Sequence, residues 1–381
     1  MKLSFKRITS SGSFIPEIDG LRFIAITSVV LYHITGYLMT KKGQNSEYSS
    51  YYLFLKQMFS NGHLGVPLFF VISGFILAMP FAKHYLKENK PVNLRNYFIR
   101  RLTRLEPPYV LVMTILLFGA VYIAKNITLG DGLISYLSSI TYCHNFIYGK
   151  DVLPLLNGVT WSLEIEVQFY ILAPVLAYMF ALKSSLLRRT LIFGIAILFL
   201  ILNSFIDLPF RSLVGYIQYF LIGFLLADLY ISKSEILPKT KFDIGIGLFF
   251  FSIIWFFDES DFKSNFQKGS WELVQLIGIF FFYYYVLFHK ILKFLSYRVI
   301  TNIGGMCYSI YLVHYPIISM FGSNILKLSF SKHEIINVLM YPFLLIIAVM
   351  SISSVFFLCV ERPCMDKDWY KKLFRKRFSE R

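Results

Sequence analysis

Along this 381-residue chain, hydrophobic residues come in long continuous runs, and charged residues gather in the short stretches between them. The runs do not alternate polar and apolar at period two, which argues against a membrane β-barrel. Their length suits helices crossing a bilayer, for which about 20 apolar residues suffice. About ten spans are expected, over roughly 21–40, 63–81, 104–124, 161–182, 190–206, 213–231, 242–258, 271–289, 300–322 and 336–360. The stretch 131–147, DGLISYLSSITYCHNFI, is apolar but short and interrupted by polar residues, so it reads as a re-entrant or interfacial helix. The expected fold class is all-α: a polytopic membrane protein whose residues 1–381 form a single membrane-embedded domain.

Charge then orients the pattern, because cytoplasmic loops collect Lys and Arg. With the N-terminus inside, the segments 1–22, 82–104, 183–189, 232–241, 289–298 and 361–381 hold about 28 of the 38 Lys and Arg. Both termini are therefore expected in the cytoplasm, including the basic tail 361–381. Counting 131–147 as a full span would place that tail outside. The net charge of +16 is explained this way, with membrane lipids as partners and no nucleic acid. The first apolar run lacks a small-residue cleavage site and reads as a span rather than a removable leader. Four cysteines show no metal-ligand spacing. No internal repeat of the kind secondary transporters carry is visible.

Five stretches could carry chemistry. The first, IPEIDGLRFIAITSVVLYHITGYLMT (15–40), opens with Asp19 and Arg22 and holds one ionisable residue deeper in, His33. An imidazole inside an apolar span is a functional candidate by default. The second, GHLGVPLFFVISGFIL, contains Ser73 and Gly74, small residues that first suggest close helix packing. His63 at its outer mouth reads as solvated. The third, FIRRLTRLEPPY, crowds Arg100, Arg101 and Arg104 at a helix start, followed by Glu106, Pro107 and Pro108, where consecutive prolines break or kink helices. Snorkelling to lipid phosphate and binding of an anionic ligand both fit these arginines. The fourth, GVTWSLEIEVQFYILAP, places Glu164 and Glu166 just inside an apolar helix, two apart and so on different faces. The fifth, GGMCYSIYLVHYPII, holds His314. By helix rise, His33, Glu166 and His314 all fall in the outer half of the membrane, while the arginines sit at the inner face. This predicts an anion site inside and an ionisable cluster further out.

Together these stretches resemble the acyltransferase 3 family of integral membrane acyltransferases. DGLR followed by His33, GVPLFFVISGF, RRLTR, WSLEIEVQFY, YSIYLVHYP and the late Glu361-Arg362-Pro363 occur in order over nearly the whole chain. The resemblance implies about ten spans and transfer of an acyl group, usually acetyl from acetyl-CoA, to a hydroxyl of a sugar or other extracytoplasmic acceptor. Such acceptors include O-antigen, capsule and exopolysaccharide. It implies a bacterial cytoplasmic membrane and no metal. By position, His33 matches the family's catalytic histidine, Arg22, Arg101 and Arg104 its donor-binding arginines, and Trp161, Ser162 and Glu166 its WSLxxE pattern. Tyr308 and His314 match the late YSxYLxH pattern; with Trp161 and Ser162 they are expected to bind substrate. Pro67 departs from the family's usual small polar or acidic residue. No SGNH-type esterase domain follows the last span, the arrangement expected of stand-alone members. His33 is expected to act either as general base or as an acyl-carrying nucleophile. Glu166 is expected to orient it. The competing reading is a proton-coupled transporter or flippase that uses the same buried ionisable residues.

Overall fold

In the computed structural model, residues 5, 14–42, 50–233, 237–256, 262, 264–366 and 369 are described, and among them every regular element is helical. The helices are α1 (Pro16–Lys42), α2 (Ser50–Phe59), α3 (Gly65–Lys87), α4 (Leu94–Phe118), α5 (Leu129–Ile140), α6 (His144–Tyr148) and α7 (Trp161–Leu176). The second half supplies α8 (Ser185–Phe205), α9 (Ile217–Ser232), α10 (Asp243–Phe256), α11 (Asn265–Tyr284), α12 (Arg298–Gly305), α13 (Cys307–Leu326) and α14 (Glu334–Phe356). Seven described helical runs are long and apolar enough to cross a membrane: Pro16–Lys41, Ser50–Lys87, Leu94–Ala124, Gly158–Ala181, Ser185–Phe205, Asn265–His289 and Glu334–Cys364. The other three expected spans fall on α9 and α10, apolar but shorter, and on α13, a continuous helix that carries His314, Pro316 and Asn324 among its apolar residues. Most of the N-terminal segment 1–13 and of the basic tail lies outside the described residues.

Two departures from the expected pattern have local causes. The ninth span is broken at Met306 into α12 and α13, directly after Gly304 and Gly305, which favour helix poorly. The prolines of α4, by contrast, do not break it, and the helix runs on through Pro107 and Pro108. Proline lacks the N–H that would bond the carbonyl four residues back. The Thr103 carbonyl freed by Pro107 accepts instead from the indole Nε1–H of Trp369, at 3.2 Å. Such replacement partners are what make proline tolerable in membrane helices.

The stretch 131–147 forms α5 and α6, separated by a reversal at Tyr142, whose φ is 57°. At 1.5 Å per residue α5 is about 18 Å long, too short for the hydrocarbon core. Its buried face is made of Gly132, Ser135, Ser138 and Ser139, while Leu133, Ile134 and Leu137 point outward.

Close packing holds the bundle where helices must meet without intervening side chains. Gly74 of α3 faces α9 so closely that a Cβ there would stand 2.1 Å from the Phe220 carbonyl oxygen. Gly223 of α9 reciprocates, 2.3 Å from the Val71 carbonyl oxygen. Phe220 stacks between Phe70, at 4.7 Å, and Phe169, at 4.0 Å. Helix α1 runs between two hydrophobic clusters: Ile18, Leu21 and Ala25 belong to one, and Ile26, Val30 and Ile34 to the other.

Gly74→Ala is expected to cost about 1–3 kcal/mol, because no void exists to receive the methyl group. Gly194 of α8, whose Cβ would meet nothing within 4 Å, is the control. Thermal unfolding in detergent should show a lowered Tm for Gly74→Ala and none for Gly194→Ala; equal Tm values would contradict the backbone contact.

Candidate active site

A cavity of about 1280 Å³ lies among α1, α3, α4, α7 and the junction of α12 with α13. Its wall changes character along its length. Lys83, Lys90, Arg100, Arg101 and Arg104 line one end; Arg22, Ser73, Glu166 and Tyr170 line the middle. Val29, Ser162 and Tyr311 close the other end. Seven residues of α1 separate Arg22 from Val29, a rise of about 10 Å.

Three of the arginines lining the cavity are held in place by neighbouring groups. Arg22 is buried and pairs with Asp19 one turn earlier, at 2.6 Å. Arg101 donates to the Tyr97 carbonyl at 2.8 Å, and its guanidinium lies over the Tyr97 ring, 3.6 Å from the centroid. Arg104 stands 3.7 Å from Glu361, and its Nε is enclosed without a hydrogen-bond partner. Glu361 is fully buried and accepts from both the backbone N–H and the hydroxyl of Ser309, at 2.9 and 2.5 Å. Three distant motifs thus meet at one point: Arg104, Ser309 and Glu361. The late Glu-Arg-Pro was visible in the sequence, but its task as anchor for Arg104 was not. A carboxylate directly after a long apolar run was the signal that it needed a partner.

The two glutamates of α7 part company as their spacing predicts. Glu164 faces away from the cavity and accepts from the backbone N–H groups of His144 and Asn145, at 3.0 and 2.9 Å. It caps the start of α6. Glu166 faces the cavity and accepts from the Ser73 hydroxyl at 2.6 Å, with Tyr170 also bonded to it. Gly74 therefore serves packing, as read, while its neighbour Ser73 belongs to the site, which the packing reading missed.

The histidines form a directed pair. His33 Nδ1 lies 3.0 Å from His314 Nε2. His314 Nδ1 faces two backbone carbonyls, those of Ile310 at 2.9 Å and Tyr311 at 2.8 Å. Carbonyls only accept, so in the neutral ring the His314 proton sits on Nδ1, and Nε2 is an acceptor. His33 must then donate through Nδ1, which leaves its Nε2 with a bare lone pair. The His33 ring is half-buried and meets the edges of Tyr32 and Tyr315, both at 5.3 Å and both exposed. On α1 the cavity lining reaches Val29, one turn short of His33.

Of the three groups placed together by depth, the structure joins His33 with His314 but not with Glu166, whose partners are Ser73 and Tyr170. Glu166 lies within electrostatic reach of Arg22 and Arg101, so it belongs with the arginines rather than in the outer cluster expected from helix rise. Ser162 shares a hydrogen bond with Tyr311, at 3.1 Å, and so joins α7 to the helix carrying His314. Tyr308 donates to the Leu105 carbonyl at 2.8 Å, tying α13 to the arginine helix. Trp161 packs against Tyr216, 5.6 Å away, on the side turned from the cavity. His63, expected to be solvated, is half-buried, with Nδ1 2.9 Å from the Ser60 carbonyl.

The model of the acyltransferase domain matches residues 15–358. A protein of Staphylococcus aureus strain COL with a provisional O-acetyltransferase name is 29% identical over 337 residues, covering 81% of this chain and 52% of its own. The peptidoglycan O-acetyltransferase OatA of Listeria monocytogenes is 27% identical over 345 residues, covering 83% and 51%. The O-acetyltransferase OatA of S. aureus strain NCTC 8325 is likewise 27% identical over 345 residues, covering 84% and 53%. The chain thus spans about half the length of the curated relatives it matches. No solved structure matches it significantly. With the model filled from Ile15 to Leu358 on a bundle of apolar helices, the chain belongs to the acyltransferase 3 family of integral membrane acyltransferases.

Proposed function

We propose that this protein is an O-acyltransferase that moves an acyl group, acetyl in the first instance, from cytoplasmic acyl-CoA to a hydroxyl of an extracytoplasmic or lipid-linked glycan. The observation that carries this reading is the arrangement along α1: arginines line the cavity, and one turn beyond its lining at Val29 stands an imidazole whose Nε2 lone pair is left over by the bond to His314. In this reading the basic end faces the cytoplasm of a bacterial inner membrane, in keeping with the distribution of Lys and Arg. The relatives named as O-acetyltransferases support the same chemistry.

Arg101 and Arg104, with Arg22 and Arg100, would hold the donor's phosphates, since guanidinium forks match phosphate oxygens in a way an ammonium does not. The pantetheine arm would then run past Glu166 and Tyr170 towards Val29. From Arg22 to His33 the helix rises about 16 Å. The acceptor hydroxyl approaches His33 from the half-exposed side and gives its proton to Nε2 as its oxygen attacks the thioester carbonyl. The C–S bond breaks, the acyl group stays on the acceptor oxygen, and the thiolate leaves as CoA after protonation. His314 fixes the tautomer that makes this possible. Glu166 supplies negative charge between the arginines and the reacting end, in place of the orienting role first expected of it.

Purified protein given labelled acetyl-CoA and cell-envelope glycan should transfer label to the glycan. His33→Ala should lower that rate by about 10²–10⁴-fold with donor binding retained. His314→Ala should cost less, and the double variant no more than His33→Ala alone, because the pair works as one unit. Undiminished transfer by His33→Ala would sink the proposal. Glycan movement across vesicles without label transfer would support the transporter instead.

Removing Arg101 or Arg104 tests the donor end separately. Each alanine variant should raise the KM for acyl-CoA, with lysine restoring only part of the affinity. Unchanged donor affinity in both would assign these arginines to lipid anchoring.

A further inference from the structure

Away from the basic end, past the Trp161 face turned from the cavity, a second group of polar atoms lacks partners. The Arg211 guanidinium lies 5.0 Å from the centre of the Trp161 ring, and its Nη1 is enclosed without a hydrogen bond. Beside it the Ser212 hydroxyl is buried and unpartnered, as is Nδ1 of His144, a residue only 2% exposed. Burial, and then the Arg211 charge, hold the His144 imidazole below its ordinary pKa, so the two side chains are within electrostatic reach. Arg211 makes no ion pair among the described residues. Of the ten Lys and Arg outside the segments expected in the cytoplasm, it is the one arginine.

The wall that carries these atoms is firmly built. The Lys150 backbone N–H donates to the Pro209 carbonyl at 3.0 Å, and Phe146 meets Phe210 at 5.1 Å. These contacts fasten the α6 segment to the loop before α9. Glu164 fastens the same segment to α7 through the start of α6. Two rings link the group to the donor cavity. Tyr216, which packs on Trp161, touches Phe70 at 5.4 Å, and Phe70 lines that cavity.

A buried donor without a partner is costly in a folded protein, and a ligand that supplies the acceptor recovers the loss. A guanidinium seated on an indole keeps its N–H edge free, and that edge suits the two oxygens of an anion. A partly exposed indole beside hydrogen-bonding groups suits a sugar ring, which is apolar on one face and polar at its rim. We infer that Arg211, with His144, Ser212 and Trp161, forms an acceptor subsite for an acidic sugar, one carrying a carboxylate or a phosphate. This rests on the acyltransfer reading and adds to it the charge of the acceptor. The subsite would hold the acidic residue of the glycan while a neighbouring hydroxyl reaches His33.

The test compares acceptor oligosaccharides of equal length that are neutral, glucuronate-bearing or phosphate-bearing. Wild-type protein should favour one or both acidic acceptors in kcat/KM, and Arg211→Gln should reduce the acidic-to-neutral preference by about 10- to 100-fold. Arg211→Lys, which keeps the charge but loses the fork, should fall between. Binding is read without catalysis as quenching of tryptophan fluorescence by the acidic oligosaccharide, a signal that should be smaller in Trp161→Phe. Transfer to glycan with no acidic preference, or a preference unmoved in a folded Arg211→Gln, overturns the subsite and leaves the transfer reading standing. Acidic oligosaccharide that quenches wild type but not Arg211→Gln, with no transfer by wild type, keeps the subsite and overturns the transfer reading.

Discussion

Helix α1 is fixed by contact of backbone on backbone, and the proposed chemistry depends on that constraint. A Cβ on Gly304 would stand 1.8 Å from the Asp19 carbonyl oxygen, and one on Gly65 would stand 2.4 Å from that of Ala25. No side chain lies between the helices at these points, so α1 has little freedom to slide or rotate. It carries Arg22 and His33, one facing the basic part of the cavity and the other standing beyond its far end. A single rigid rod therefore sets the separation between where a donor's charge would be held and where its acyl group would react. Catalytic geometry benefits from being built on such elements, since small misplacements of reacting groups are expensive.

Within this frame, buried polar groups fall into two populations. Some are satisfied and serve architecture: Arg188 and Arg189 both pair with Asp228, Glu164 caps α6, and Glu361 is held by Ser309. Burying a charge is tolerable only when it is paired in this way. Others keep donors or lone pairs free, including Arg104 Nε, His33 Nε2 and Arg211 Nη1. Arg104 lines the cavity, while His33 and Arg211 lie outside its lining.

Much of the fold was legible because the membrane imposes a simple code. Continuous apolar runs mark helices, and the expected spans fall on helices in the structure, the ninth on two, with seven described runs long and apolar enough to cross a membrane. The motif residues were legible too, as ionisable groups in apolar surroundings. What could not be read was direction around each helix axis. Counting along the helices gave Glu166 and His33 one depth, yet Glu166 lies beside Ser73 within electrostatic reach of Arg22 and Arg101, while His33 meets His314. Proline in α4 was read as a breaker because the rescuing partner, Trp369, lies 266 residues further along the chain. Arg211 carried no motif; its only signal was an arginine on the side where basic residues are sparse.

The central claim is that one cavity holds the donor with its phosphates at the arginines and its acyl group at the His33 end. Two photoreactive acyl-CoA analogues, one carrying the crosslinker on the acyl group and one on the adenine, test it most directly. After irradiation and peptide mapping, the acyl-end probe should mark α1 between Val29 and His33 or the facing Ser162–Tyr311 contact, and the adenine-end probe should mark the α4 peptide around Arg100. An acyl-end label on the Arg100–Arg104 peptide, or labels confined to the lipid-facing surface, would contradict the account.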